Sequence, residues 1–104
     1  MEDFFLFLRY KNKTIKFKIT DPSTDLEVLM SNLRKAVDNT GALIFDLPEM
    51  IDYVPTEYFF GKKEEVTGRD NILQPKVGKT AKTLLDYNVK AGDTLEVISD
   101  PIAG

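Results

Sequence analysis

Side chains that usually carry out chemistry are scarce in this chain. It contains no His and no Cys. That removes the usual general base, the commonest metal ligand, and any thiolate nucleophile, disulfide or zinc–sulfur site. Gly78-Lys79-Thr80 has the closing residues of a phosphate loop, but the motif needs a glycine five positions before Gly78, and Leu73 stands there. Asp46, Glu49 and Asp52 offer oxygen ligands to a hard cation, yet their spacing matches no calcium loop and they read as solvated loop acids. Lys62-Lys63-Glu64-Glu65 reads as a solvated turn or strand end. No acid pair converges, so an independent enzyme is not expected, and neither is a metal or cofactor. The reactive group left is a carboxylate at Gly104, unhindered because Ala103 and Gly104 are small, with Pro101 and Ile102 leading up to it. Pro101 fixes its own φ near −65° and stiffens this tail.

The elements that position such a tail follow from composition and patterning. A chain of 104 residues fits one domain, and can bury about 60–70% of its unfolded surface. The net charge of -3 disfavours non-specific nucleic-acid binding, which needs a basic field. The start, Met1-Glu2-Asp3, lacks the basic segment of a signal peptide. No apolar run approaches the ~18 residues that span a membrane. The expectation is a cytoplasmic protein that binds neither nucleic acid nor membrane.

Residues 4–10 are aromatic-rich and too short for a typical helix, which predicts a strand. Residues 11–13 form a polar turn, and residues 14–20 alternate strictly, with Ile15, Phe17 and Ile19 on one face and Lys16 and Lys18 on the other. After a break at Asp21-Pro22-Ser23, Thr24 with Glu27 three residues on has the spacing of a capping box. The helix it opens carries Leu26, Leu29, Leu33, Ala36 and Val37 along one stripe, and Asn39-Thr40-Gly41 ends it. Ala42 to Phe45 reads as a short strand or a buried loop, residues 46–55 as irregular, and Glu57 to Phe60 as a strand. Residues 62–82 read as a long loop with a short strand at Ile72-Leu73. A helical turn around Leu84, Leu85 and Tyr87 leads to a last strand over 94–99. This order predicts an α+β fold of the β-grasp type, in which one main helix packs on one face of a mixed four- to five-stranded sheet. The last strand is expected beside the first, in the middle. If Phe5 and Phe7 face the core with Ile15, Phe17 and Ile19, then Phe4, Leu6 and Leu8 face outward. On the last strand Leu95 and Val97 face in and Ile98 out, so that Leu6, Leu8 and Ile98 form an exposed apolar patch, with Phe4 part of the same partner surface. The competing expectation is that residues 42–57 fold over that patch as a second small core.

Three segments resemble ubiquitin and its small bacterial relatives: Asn12-Lys13-Thr14-Ile15 at the hairpin turn, Asp21-Pro22-Ser23-Thr24-Asp25 before the helix, and Thr83-Leu84-Leu85-Asp86-Tyr87-Asn88-Val89 followed by Thr94-Leu95. Residues 38–57 and 62–82 read as insertions relative to that family, and residues 100–104 lack its basic, two-glycine tail. The resemblance implies a bacterial protein modifier. Its Gly104 carboxylate would be adenylated with ATP by an E1-like activating enzyme, then moved to an E2-like conjugating enzyme and joined to target lysines. A JAB-type protease would reverse the bond. Some such systems serve in defence against phage. Ubiquitin-like proteins also use the outer sheet face for recognition without a covalent bond. Two other members of the wider family remain open: a non-covalent adaptor like those of type VII secretion, and a sulfur carrier.

Overall fold

The computed structural model describes residues 4–63 and 70–102. Strands β1 (Phe4–Tyr10) and β2 (Lys13–Ile19) form an antiparallel hairpin closed by only two residues, Lys11 and Asn12. Helix α1 (Leu26–Lys35) follows, then a long connector. Next come β3 (Met50–Ile51), β4 (Val54–Lys63), β5 (Asp70–Ile72), β6 (Lys76–Val77) and β7 (Thr80–Ala81). A 3-10 turn over Leu85–Tyr87 leads into β8 (Thr94–Pro101). The main sheet runs β2-β1-β8-β4-β3, with β5 also on β4, and β6-β7 forms a separate two-stranded ribbon. The fold is α+β, a mixed sheet with one helix, compatible with a β-grasp. β8 lies between β1, to which it is parallel, and β4, to which it is antiparallel. The expected central position of the last strand is observed.

The hairpin register decides which residues are inside. Leu6 stands opposite Phe17 and Leu8 opposite Ile15, so these share one face, while Phe5 and Phe7 stand opposite Lys18 and Lys16. Leu6, Leu8 and Tyr10 are buried. The three-residue turn expected from Lys11-Asn12-Lys13 pairs the strands one residue out of step. A slip of one residue sends every side chain of a strand to the opposite face. Leu6 and Leu8 therefore belong to the core and Phe4 packs against it, which removes three of the four residues expected in the outward patch. The inward positions of Leu95 and Val97 are as expected.

Helix α1 buries Leu26, Leu29 and Leu33 against the sheet. Its start differs from the expected capping box: Asp25 is the N-cap and makes no side-chain cap hydrogen bond. The Leu26 amide instead donates to the Lys82 carbonyl at 2.9 Å, beside a bridge between Asp25 and Thr83. A distant segment thus satisfies one of the amides that the first turn of a helix leaves without an intrahelical partner. The reciprocal geometry of a capping box occurs further along, at Thr83 and Asp86. The Thr83 amide donates to the Asp86 carboxylate at 2.9 Å, and the Asp86 amide to the Thr83 hydroxyl at 3.4 Å. At its other end the helix stops at Lys35, and Ala36 is already extended. Val37 consequently leaves the predicted stripe and is exposed.

The connector is a loop rather than a strand, exposed from Val37 to Leu43 and buried at Phe45 and Leu47. Asp38 opens it, its carboxylate accepting from the Thr40 hydroxyl at 2.6 Å and from the Thr40 and Ala42 amides. Those bonds, chiefly from Thr40, hold the carboxyl below the usual aspartate value. Phe45 and Leu47 then enter the main core. Phe45 meets Tyr10 edge to face at 6.2 Å, and Tyr10 meets Tyr58 in the same way. Residues 42–57 therefore complete the inner core and do not cover the outer face of the sheet.

Tyr58 ties this connector to β4. Its hydroxyl donates to the Pro48 carbonyl at 2.6 Å, and the Arg34 guanidinium lies 5.4 Å from its ring centre. Burial pushes its phenol above the ordinary 10.0. A raised folded-state pKa contributes stability that is complete below pH 10.0 and is lost as the pH climbs through the folded value. Tyr58→Phe is expected to cost about 1–2 kcal/mol near neutral pH, because the Pro48 carbonyl loses its donor. In urea titrations from neutral pH to above 10, the gap between wild type and variant should narrow only at the alkaline end. A gap that stays constant to high pH would contradict this account.

Candidate functional site

The face of the sheet opposite the helix carries the candidate site. Alternation along each strand sets Phe5, Phe7 and Arg9 of β1 there, with Thr14, Lys16 and Lys18 of β2 beside them. On the other side of β1 come Thr94, Glu96 and Ile98 of β8, and then Glu57 and Phe59 of β4. Phe59 stands directly opposite Ile98. Phe5, Phe7, Phe59 and Ile98 are only half-buried, and none of the four belongs to the core cluster or packs against it. They are apolar groups on the uncovered side of a sheet whose other side is filled.

The aromatic part of this face is ordered by its own contacts. Phe5 and Phe7 meet edge to face at 5.7 Å. The Lys16 ammonium sits 4.1 Å from the Phe5 ring centre, within cation–π range. Charge is graded across the sheet: Lys16, Lys18 and Arg9 lie toward β2, Glu96 and Glu57 toward β8 and β4. The arrangement is an apolar strip with one basic and one acidic border. It holds no nucleophile paired with a base, and it is suited to contact with a protein surface.

The turn before β8 fixes how β1 and β8 lie together. Gly92 has φ of +90°, a conformation that side-chain-bearing residues rarely adopt. Its amide donates to the Phe5 carbonyl at 2.8 Å, and the Phe7 amide donates to the Asp93 carbonyl at 2.9 Å. These two bonds start the parallel pairing and bring Ile98 onto the same face as Phe5 and Phe7.

Ile98 is the one residue of the expected patch that lies on this outer face. Phe4, Leu6 and Leu8 are on the core side, and Phe5, Phe7 and Phe59 take their place. The signal in the sequence was the strict alternation of β2, which puts Lys16 and Lys18 outward. Joined to a two-residue turn, it places Phe5 and Phe7 with them.

The expected tail is shorter than its sequence suggests. β8 continues through Pro101, which pairs with Thr56, and the Ile102 amide still donates to the Pro55 carbonyl at 2.8 Å. Proline is tolerated at position 101 because the adjoining bond, from the Ile102 amide to the Pro55 carbonyl, makes Pro101 opposite Thr56 a pair that exchanges no ladder hydrogen bonds. Ile102 is partly exposed. Ala103 and Gly104 lie outside the described residues.

The other sequence candidates do not form sites. Gly78 and Lys79 make the turn between β6 and β7, with Gly78 at φ +62°, and no helix follows to bind phosphate. Among the described residues no three His, Cys, Asp or Glu side chains gather in a way that would hold a metal ion. No helix among them is long and apolar enough to cross a membrane. The sequence matches no protein-family model, and comparison with curated proteins gives no significant match.

Proposed function

We propose that the chain is a ubiquitin-like β-grasp protein that works by being bound by other proteins, with the outer sheet face as its recognition surface. The observation that carries this reading is the uncovered strip of Phe5, Phe7, Phe59 and Ile98 between a basic and an acidic border. Half-buried aromatic groups that make no core contact are retained where a partner completes their burial. The graded charge gives such a partner one orientation.

A second reading is a covalent modifier that uses the same face for recognition and Gly104 for attachment. The specific observation in its favour is the path of β8. This strand runs from the middle of the sheet along β4 to Pro101, and Ile102 after it is exposed. Its partners would be E1-like and E2-like enzymes, a JAB-type protease and target lysines.

One set of samples tests both readings. Tagged protein with a free Gly104 carboxylate is incubated with ATP in lysate of its source cells, beside a Gly104 deletion and a Phe7→Ser variant. Under the first reading a partner is captured by the parent and by the deletion, and Phe7→Ser weakens capture at least about tenfold, or about 1.4 kcal/mol. Under the second, higher-mass adducts depend on ATP and vanish with the deletion. Undiminished capture by Phe7→Ser, with its circular dichroism unchanged, would reject the outer face as the recognition surface.

A further inference from the structure

A second feature lies on the opposite side of β4 from β8. β4 is paired on that side only at its two ends. β3 takes Val54 and Pro55, and the Thr56 amide donates to the Glu49 carbonyl. At the far end β5 pairs from Gly61 onward, and the Phe60 carbonyl accepts from the Leu73 amide. Odd-numbered residues of β4 turn their backbone groups toward β8, as the bond from the Ile102 amide to the Pro55 carbonyl shows. Even-numbered residues turn theirs away. The Thr56 carbonyl, both backbone groups of Tyr58 and the Phe60 amide thus face a gap, and no strand among the described residues fills it. The gap is about 14 Å long, four residues at 3.4 Å each.

The gap opens onto a cavity of about 410 Å³ between α1 and β4, lined among others by Leu26, Met30, Phe60 and Leu73. Its walls are mainly apolar. Glu27, which pairs with Lys76 at 3.8 Å, Glu49 and Glu57 also line it, with one guanidinium, Arg34. Arg34 is already engaged by the Leu47 carbonyl at 3.3 Å and by the Tyr58 ring.

We propose that this gap binds a short extended peptide segment by strand addition, with an apolar central residue flanked by basic ones. The length between β3 and β5 admits about three residues in extended form. The central residue would exchange two hydrogen bonds with Tyr58, as directly opposed residues in an antiparallel pair do. Opposed residues share a face, so its side chain enters the cavity beside Leu26 and Met30. The residues on either side point the other way, where Glu57 lies. The Glu57 carboxylate on that side selects Lys or Arg there and disfavours acidic peptides. This surface shares Glu57 with the acidic border of the outer face but contains neither Phe5 nor Phe7, and the inference holds or fails independently of the proposed function.

The test uses the full chain, labelled for amide NMR, with three capped peptides. These are Lys-Lys-Leu-Lys-Lys, the same peptide N-methylated at its leucine, and Glu-Glu-Leu-Glu-Glu. The basic peptide should shift the Tyr58 and Phe60 amides saturably, with a Kd on the order of 0.1–1 mM, and slow their hydrogen exchange. The N-methylated and acidic peptides should bind at least about tenfold more weakly, and so should the basic peptide to the Glu49→Lys, Glu57→Lys double variant. Several results would overturn the proposal: no saturable shift, equal binding of the N-methylated peptide, or shifts confined to Phe5, Phe7 and Phe59. Concentration-dependent shifts at Tyr58 without peptide would overturn it in favour of a second copy as the occupant.

Discussion

Leu8→Asp is expected to abolish cooperative folding, whereas Phe7→Ser, one residue away, leaves a folded protein. Leu8 is fully buried at 0% exposure, on the core face of β1 between β2 and β8. Shortening it to Ala removes transfer energy and leaves a cavity, together about 3 kcal/mol. Aspartate adds an unpaired carboxylate in the same apolar place, costing several kcal/mol more even if it becomes protonated. A domain of this size has a total stability of about 5–15 kcal/mol, so the sum is most or all of it. Phe7 is half-buried on the outer face and loses contact mainly with Phe5. Urea unfolding followed by circular dichroism, with amide NMR dispersion, checks the contrast. A cooperative transition for Leu8→Asp close to that of the parent would mean that β1 has the opposite face inward. This pair also bears on the functional tests. A charge at Leu8 reports on folding, and only changes at Phe5, Phe7, Phe59 or Ile98 report on the outer surface.

Phe45→Ala should be the next most damaging change, at about 3–5 kcal/mol. Phe45 is 1% exposed and anchors a connector with little secondary structure of its own. Beyond Phe45 and Leu47, the loop is held by side chains reaching its backbone. Lys13 donates to the Ile44 carbonyl at 2.6 Å, Arg34 to Leu47 and Tyr58 to Pro48. Without the ring only Leu47 remains packed to hold these bonds in register. Hydrogen exchange should show the Ile44 amide, which donates to the Ala36 carbonyl, losing protection first. The amides of β1 and β8 should follow only at the global limit. Uniform loss of protection across the sheet would show instead that the connector and the sheet unfold as one unit.

How far these features were legible follows from what each residue pattern encodes. The strict alternation of Thr14 to Ile19 and the Leu26, Leu29, Leu33 stripe each have a period, so strand and helix could be read locally. The order of elements then restricted the topology, and the last strand does lie beside the first. β1 was different, because Phe4-Phe5-Leu6-Phe7-Leu8 is apolar at every position and carries no phase. Its inner face was set by the length of the turn, and one residue more or less reverses the answer. The helix start shows a related limit. Thr24 and Glu27 have the spacing of a cap, but Asp25 is the N-cap and the first amide of the helix, Leu26, is taken by the distant Lys82 carbonyl.

The sequence by itself therefore determined the type and order of β1, β2, α1, β4 and β8 and the absence of His and Cys chemistry, since these depend on residue identity and local period. The short strands β3, β6 and β7 lie in segments that read as irregular or loop. The tertiary structure alone decided which face of β1 is buried, where Phe45 goes, how far β8 extends past Ser99, and that β4 keeps an unpaired stretch at Tyr58. The physical reason is the same in each case. These features depend on hydrogen bonds and contacts between residues far apart in the chain, whose register no local pattern records.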